Sequence, residues 1–200
     1  MAKYNFGMSN YPMVPGSRSL TQDGHLDKIV VNQNFVVLIP KSLPLDGVAP
    51  LLCAGITVYS PVKSFGLAQP GLHLGIVSLG GLGHVAVNFA KAFDMHVTVI
   101  STSDSKKKEA LGRLGADAFL DAMGTMDAII DTISANHSIQ PLIGLLKAHG
   151  KLILLGAPSL PLEVLALPLL MGRKMIAGST VGGMQKMMRD ARYDEFCRKV

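Results

Sequence analysis

From His73 onward the chain alternates short, almost unbroken apolar runs with stretches of helical period. The runs are "HLGIVSL", "HVTVIS", "DAFL", "DAIIDTI", "KLILLGA" and "RKMIAGSTVG", and between them lie "GGLGHVAVNFAKAF", "SDSKKKEALGRLG" and "SIQPLIGLLKAHG". A strand that is apolar on both sides must be covered on both sides, and crossover helices between such strands keep them parallel. The pattern predicts an α/β protein with a Rossmann-type doubly wound parallel sheet over residues 70–182. Ser103 or Asp104 is placed to cap the second helix, and Gly115 to end it. Residues 152–172 are nearly all apolar, long enough to raise a membrane span. Pro158, Pro161, Pro168 and Glu163 interrupt them, so the stretch reads as a buried strand followed by loop, with no membrane partner.

Upstream the pattern is weaker. Residues 1–24 read as loop, residues 28–39 as two β-branched runs split by Asn32-Gln33-Asn34, and residues 42–65 as helix despite Gly55 and Pro61. Residues 183–200 read as a helix with Met184, Met187, Met188, Ala191 and Cys197 on one face, a core or partner-facing stripe. With 48% apolar and 16% charged residues the chain is not disordered. Lys and Arg number 19 against 14 Asp and Glu, and the excess is thinly spread with few aromatics, which argues against nucleic acid as a partner. The first sixteen residues carry neither an apolar signal core nor an Arg-rich transit pattern, so a cytoplasmic location is expected. Two cysteines in no paired spacing, Cys53 and Cys197, exclude a disulfide framework.

The loop between the first strand and its helix, "SLGGLG", is one glycine short of the dinucleotide fingerprint. Gly80 would let the backbone approach a pyrophosphate and Gly83 would let helix and sheet pack closely, while Ser78, followed by Leu79, stands where the first glycine belongs. If position 78 needs a positive φ, Ser there costs about 1–2 kcal/mol. Read without a ligand, the same glycines only join a strand to a helix. The second strand ends at Ser101, Thr102 and Ser103, with Lys106 a turn further on. Three hydroxyls and a cation suit a 2′-phosphate and favour NADP over NAD; Asp104 is the residue against this, and "STSD" is otherwise a helix cap.

"NYPMVPG", "PLLCAGITVYSP", "SLGGLGHVAVNFAKAF", "VTVISTSDSKKKEALGRLGADAF", "GLLKAHGKLILLGAP" and "GSTVGGM" resemble plant cinnamyl alcohol dehydrogenases and their mannitol-dehydrogenase-like relatives, which are zinc-dependent medium-chain enzymes. The resemblance implies a GroES-like β domain, of which residues 1–69 would be a remnant with its linking helix, joined to the Rossmann domain at 70–182 and followed by the helix at 183–200. It implies NADP as hydride carrier, an aryl alcohol or aldehyde as small-molecule substrate, a homodimer, and zinc at a catalytic and a structural site. Cys53 falls on a catalytic zinc ligand. Thr57, the loop Ser78, Leu79, Gly80, Gly81, Leu82 and Gly83, then Ser101, Thr102, Ser103, Lys106, Gly156, Ser179, Thr180 and Val181 fall on cofactor contacts.

The departures from the family bear on activity. After "YPMVPG" the family continues into its zinc-binding "HE", proton relay and four-cysteine lobe, whereas this chain passes through "SRSL" to "TQDGHLDKIVV". A shorter gap falls between "FLDA" and "MGTMDAI". His25, His73 and His84 form no short-spaced pair with Cys53 and read as surface or helix-start histidines, and Cys53 alone as a small buried hydrophobe. No catalytic residue is assigned. Three expectations remain: a zinc-independent reductase, a non-catalytic NADP-binding module, or a shortened product that folds poorly, with the second and third ranked above the first.

Overall fold

The computed structural model describes residue 39 and residues 44–119 and 123–180, all within one compact unit that spans residues 37–200. The expected strands at 28–39 and the methionine-striped helix at 183–200 lie outside the described residues, apart from Ile39. A short helix α1 (Leu45–Val48) runs through a 3-10 turn (Ala49–Leu52) into α2 (Ala54–Ser64). Then follow β1 (His73–Val77), α3 (Gly81–Ala92), β2 (His96–Ile100), α4 (Ser105–Lys108), which continues as a π-helical turn through Arg113, β3 (Ala118–Phe119) and β4 (Met126–Asp131). The last elements are α5 (Gln140–Leu145), β5 (Leu146–Leu154), α6 (Ala166–Gly172) and β6 (Met175–Gly178).

All six strands are parallel and lie in the order β3-β2-β1-β4-β5-β6. This is the doubly wound arrangement that the alternation of runs predicts, with its switch of direction between β1 and β4. Strand pleating sends alternate residues to opposite faces. Leu74, Ile76, Val97, Val99, Ala128 and Ile130 pack in one core with α2 and α3 residues such as Tyr59, Ala86 and Phe89, and with Phe93 just after α3. Val77, Met126, Ile129 and Leu152 pack in the other with Leu142 and Ile143 of α5. Tyr59 of α2 meets the Phe89 ring of α3 at 5.5 Å between centroids, which seats α2 on α3.

Only six residues separate β3 from β4, although two strands lie between them in the sheet. A parallel crossover ordinarily takes a dozen residues or more and a helix, so the gap anticipated after "FLDA" corresponds to a crossover too short to carry one. Met126 lies close against β1: a Cβ on Gly75 would lie 2.5 Å from its Sδ.

Three local expectations need correction. The helix expected over 138–150 stops at Leu145; Leu146 turns extended, with φ −74° and ψ 138°, and pairs with Met126, so five of those residues belong to β5. Residues 166–172, expected as loop, form α6, because Pro168 sits in the first helical turn, where a missing N–H breaks no intrahelical bond. Neither Ser103 nor Asp104 caps α4 with its side chain; Asp104 occupies the cap position in αR geometry and the turn closes by backbone bonds alone. Gly115 does end the second helical stretch, at φ +69°. Among the described residues no helix is long and apolar enough to cross a membrane.

Candidate nucleotide cleft

In an open parallel sheet the ligand crevice forms beyond the carboxyl ends of the strands where the order reverses. Here that point lies between Val77, the last residue of β1, and Asp131, the last of β4, which are register partners. The loops that follow these two strands, together with those after β2 and β5, build the site.

The first loop leaves β1 by a left-handed residue. Ser78 has φ +71°, the conformation the fingerprint normally gives to glycine, and its amide donates to Ile100 O at 2.9 Å. The turn therefore keeps its shape at the cost of Cβ strain. Gly83 explains why the shape is kept: a Cβ there would run into the Ser78 carbonyl, so turn and helix touch backbone to backbone. Gly80, with φ −93° and ψ −165°, stands before the first turn of α3, and added Cβ atoms at Gly80 or Gly81 would meet nothing within 4 Å. Their outer side is open, and the first amides of a twelve-residue helix lie beside it. A pyrophosphate fits this cradle by the close approach and the N–H donors it offers.

The second loop carries Ser101–Asp104 and runs into α4 at Ser105 and Lys106. Ser101 Oγ accepts the Ser103 amide at 3.2 Å, and Ser103 and Ser105 hydroxyls lie 2.8 Å apart. Lys106 reaches from α4 back to the glycine loop, its Nζ donating to Leu79 O at 3.2 Å. Sequence spacing does not contain that bond, yet it sets the ammonium at the junction of the two loops. His84, in the first turn of α3, spans Gly80 O at 2.8 Å and Glu109 Oε1 at 3.1 Å, and that contact holds the Glu109 carboxyl below its ordinary range. The glycine loop and the start of α3 are thus tied to α4 and its π-helical turn at two points.

The third and fourth loops interlock. The Thr132 hydroxyl donates to Val77 O at 2.8 Å, joining the tips of β4 and β1 across the switch point. The amides of Leu155 and Gly156 both donate to Asp131 O, and a Cβ on Gly156 would strike the Ile133 backbone. The glycine at 156 is needed for close approach of two loops. Asp131 is buried, its Oδ1 accepting the Ile133 amide at 3.0 Å and its Oδ2 lying 2.8 Å from His137 Nε2. Neither Asp131 nor His137 was singled out in the sequence; an Asp ending a strand with a His six residues on is the signal that marks them.

The structure brings together Ser78 to Gly83, Ser101 to Lys106, and, through the β4 loop, Gly156. Ser179 follows β6, its amide donating to Leu154 O at 3.0 Å, with Thr180 next in the chain; Val181 lies outside the described residues. Thr57 is buried in α2 and donates to Cys53 O at 2.8 Å, so its hydroxyl serves its own helix. Cys53 is exposed at the start of α2, contrary to the buried hydrophobe expected, because its neighbours Leu51 and Ile56 take the core positions. Among the described residues no group of three or more His, Cys, Asp or Glu side chains could hold a metal. His73 belongs to β1 and packs at the opposite, amino-terminal edge of the sheet, with its ring nitrogens 2.9 Å from Thr125 O and 2.8 Å from Thr98 Oγ1. His25 lies outside the described residues.

Residues 81–194 match the sequence family described as zinc-binding dehydrogenase. A probable mannitol dehydrogenase of Fragaria ananassa is 60% identical over 84% of this chain and 49% of its own length. Cinnamyl alcohol dehydrogenase 7 of Arabidopsis thaliana is 58% identical over 84% of this chain and 50% of its own. The chain spans about half the length of these curated relatives. Among solved structures, a cinnamyl alcohol dehydrogenase from Sorghum bicolor superposes with a TM-score of 0.79 at 55% identity, over 84% of this chain and 50% of that one. The Helicobacter pylori enzyme in complex with NADP(H) superposes at 0.76 and 33% identity, over 86% of this chain and 50% of that one.

Proposed function

The chain belongs to the zinc-binding dehydrogenase family, and on that premise we propose that its cleft takes NADP on the scaffold of an oxidoreductase of the cinnamyl alcohol dehydrogenase kind, whose turnover between aryl alcohols and aldehydes is impaired here by the loss of most zinc ligands. The observation that carries the cofactor reading is Lys106 Nζ seated on Leu79 O, a cation against the glycine loop, with Ser101, Thr102 and Ser103 following β2 and no Asp or Glu at the strand end itself. When bound, the nicotinamide would accept a hydride from an alcohol or give one to an aldehyde. The chain's own residues would do the rest: the α3 amides hold the pyrophosphate, Lys106 neutralises a 2′-phosphate, and the β4 and β5 loops border the remaining nucleotide.

Zinc does not fit the described residues. A catalytic site takes three protein ligands and one open position, and exposed Cys53 has no such companions among them. This favours a second reading, a nucleotide-binding module without turnover. In either reading residues 1–69 correspond to the GroES-like remnant and linking helix, 70–182 to the Rossmann domain and 183–200 to a closing helix, in a cytoplasmic homodimer. Zinc content and NADP-dependent oxidation of a coniferyl-type alcohol, measured on one preparation, test the choice. We expect less than one zinc per chain and no turnover. Turnover abolished by Cys53→Ser would mean that a zinc site is completed by further residues, with His25 the first candidate, and would restore the enzyme reading.

A further inference from the structure

We propose that His137 is a positioning residue for the nucleotide cleft: an imidazolium bridging Ala135 O and the Asp131 carboxylate pins the turn after β4 against the switch point. The inference rests on the nucleotide reading above and adds to it a group that touches no ligand.

The hydrogen-bond inventory carries the argument. His137 Nδ1 lies 2.9 Å from Ala135 O and Nε2 lies 2.8 Å from Asp131 Oδ2. A carbonyl oxygen only accepts, and the Asp131 carboxylate already accepts the Ile133 amide through Oδ1. Both ring nitrogens therefore face acceptors, an arrangement that an imidazolium satisfies and a neutral imidazole, with one N–H, does not. The turn so held is the one whose Thr132 hydroxyl grips Val77 O and whose Ile133 backbone abuts Gly156, so it borders the crevice between β1 and β4.

Asp131 is the charged group acting on His137, whose side chain is 19% exposed. The elements around it add no others: α5 (QPLIGL), the loop 155–162 (LGAPSLPL) and Val77 of β1 carry no ionisable side chain. Burial works against the charged ring, but the Ala135 carbonyl and the Asp131 carboxylate outweigh it, and the net shift is upward from 6.5. For a group raised in the folded state, the stabilisation is complete below the unfolded value and is lost as pH rises through the folded one. The pin therefore holds in mildly acid solution and releases somewhere above pH 6.5.

The test is NADH and NADPH titration of the full chain and of His137→Gln between pH 5.5 and 8.5. NADH lacks the 2′-phosphate, so its profile is free of that group's own titration. The wild type should lose about five- to tenfold in NADH affinity across the range, the order expected for release of one charge-assisted bond. His137→Gln should bind at the weak limit at every pH. Parallel profiles for the two proteins, or a variant as tight as wild type at pH 6, would overturn the proposal. Hydrogen exchange of the Ile133 amide reads the pin without ligand: it should accelerate at high pH beyond the intrinsic rate in the wild type, and at all pH values in the variant. If the wild type binds neither nucleotide, the reading beneath fails and so does the cleft role. An Ile133 amide equally protected in both proteins would sink the pin itself.

Discussion

At Ser78 a side chain occupies a backbone conformation that L-residues resist, and the strain sits in the turn that would cradle the pyrophosphate. The left-handed conformation costs about 1–2 kcal/mol, partly offset by the larger unfolded-state freedom of glycine, about 0.5–1 kcal/mol. Ser78→Gly should therefore stabilise the fold by roughly 0.5–1 kcal/mol, seen as a small rise in Tm. It should also tighten NADPH and NADH alike, because the turn serves the part they share. A gain confined to one nucleotide would show that position 78 acts at the ribose instead. The need for this turn was legible in the sequence from the spacing of Gly80 and Gly83; that Ser would adopt it was not. The outcome depends on Gly83 packing against the Ser78 carbonyl, a tertiary contact that overrides a local preference. Lys106, His137 and Asp131 show the same division. Residue type and order mark Lys106 as a phosphate partner, but its anchor on Leu79 O joins residues 27 apart in sequence.

Among the elements, the amino-terminal edge of the sheet is held by two carboxylates. Asp117 accepts the Val97 amide at 2.7 Å and the Lys91 ammonium at 2.9 Å, fixing β3 to β2 and α3. Asp127 accepts the His73 amide at 2.9 Å and Lys147 at 2.9 Å, fixing β4 to β1 and β5. Burial raises both carboxyls, but the amide and ammonium donors outweigh it and each ends below 3.8. A depressed carboxyl contributes stability that is present above its unfolded value and lost as pH falls through the folded one. Asp127→Asn should lower stability at pH 7 and lower it by a smaller margin at about pH 3, since the advantage of the depressed carboxyl begins to be lost below its ordinary value of 3.8. Urea unfolding at the two pH values measures this, and an equal loss at both would assign the effect to packing. Element type was legible wherever period and length agreed, as in β1, α3, β2 and β4. It was not legible at Leu146, where Leu145 and Leu146 join helix to strand with no residue between them, nor at α6, where Pro168, which suggests loop, occupies a helix start.

For the whole molecule, the sheet ends at β6, an edge strand whose surroundings are apolar and uncovered among the described residues. Leu165, Leu167, Leu170, Met171 and Met175 are exposed on and beside α6 and β6. An unpaired edge with apolar neighbours favours pairing with a second copy. Sedimentation at micromolar concentration should show a dimer, and Leu170→Glu together with Met171→Glu should shift it toward monomer. A wild type that is monomeric throughout would contradict the homodimer. The doubly wound architecture itself was the most legible property, because six parallel strands need covering on both faces and the apolar runs declare it.

The central claim, that the cleft at the β1–β4 switch point is built for NADP, is tested most directly by calorimetric titration of NADPH and NADH into the chain and into Lys106→Glu. The account predicts tighter binding of NADPH than NADH by the wild type. It also predicts a loss of about tenfold or more for NADPH in the variant, with NADH changed far less, since only the former carries the phosphate that Lys106 faces. Equal affinities for the two nucleotides, or a variant that leaves their ratio untouched, would contradict it.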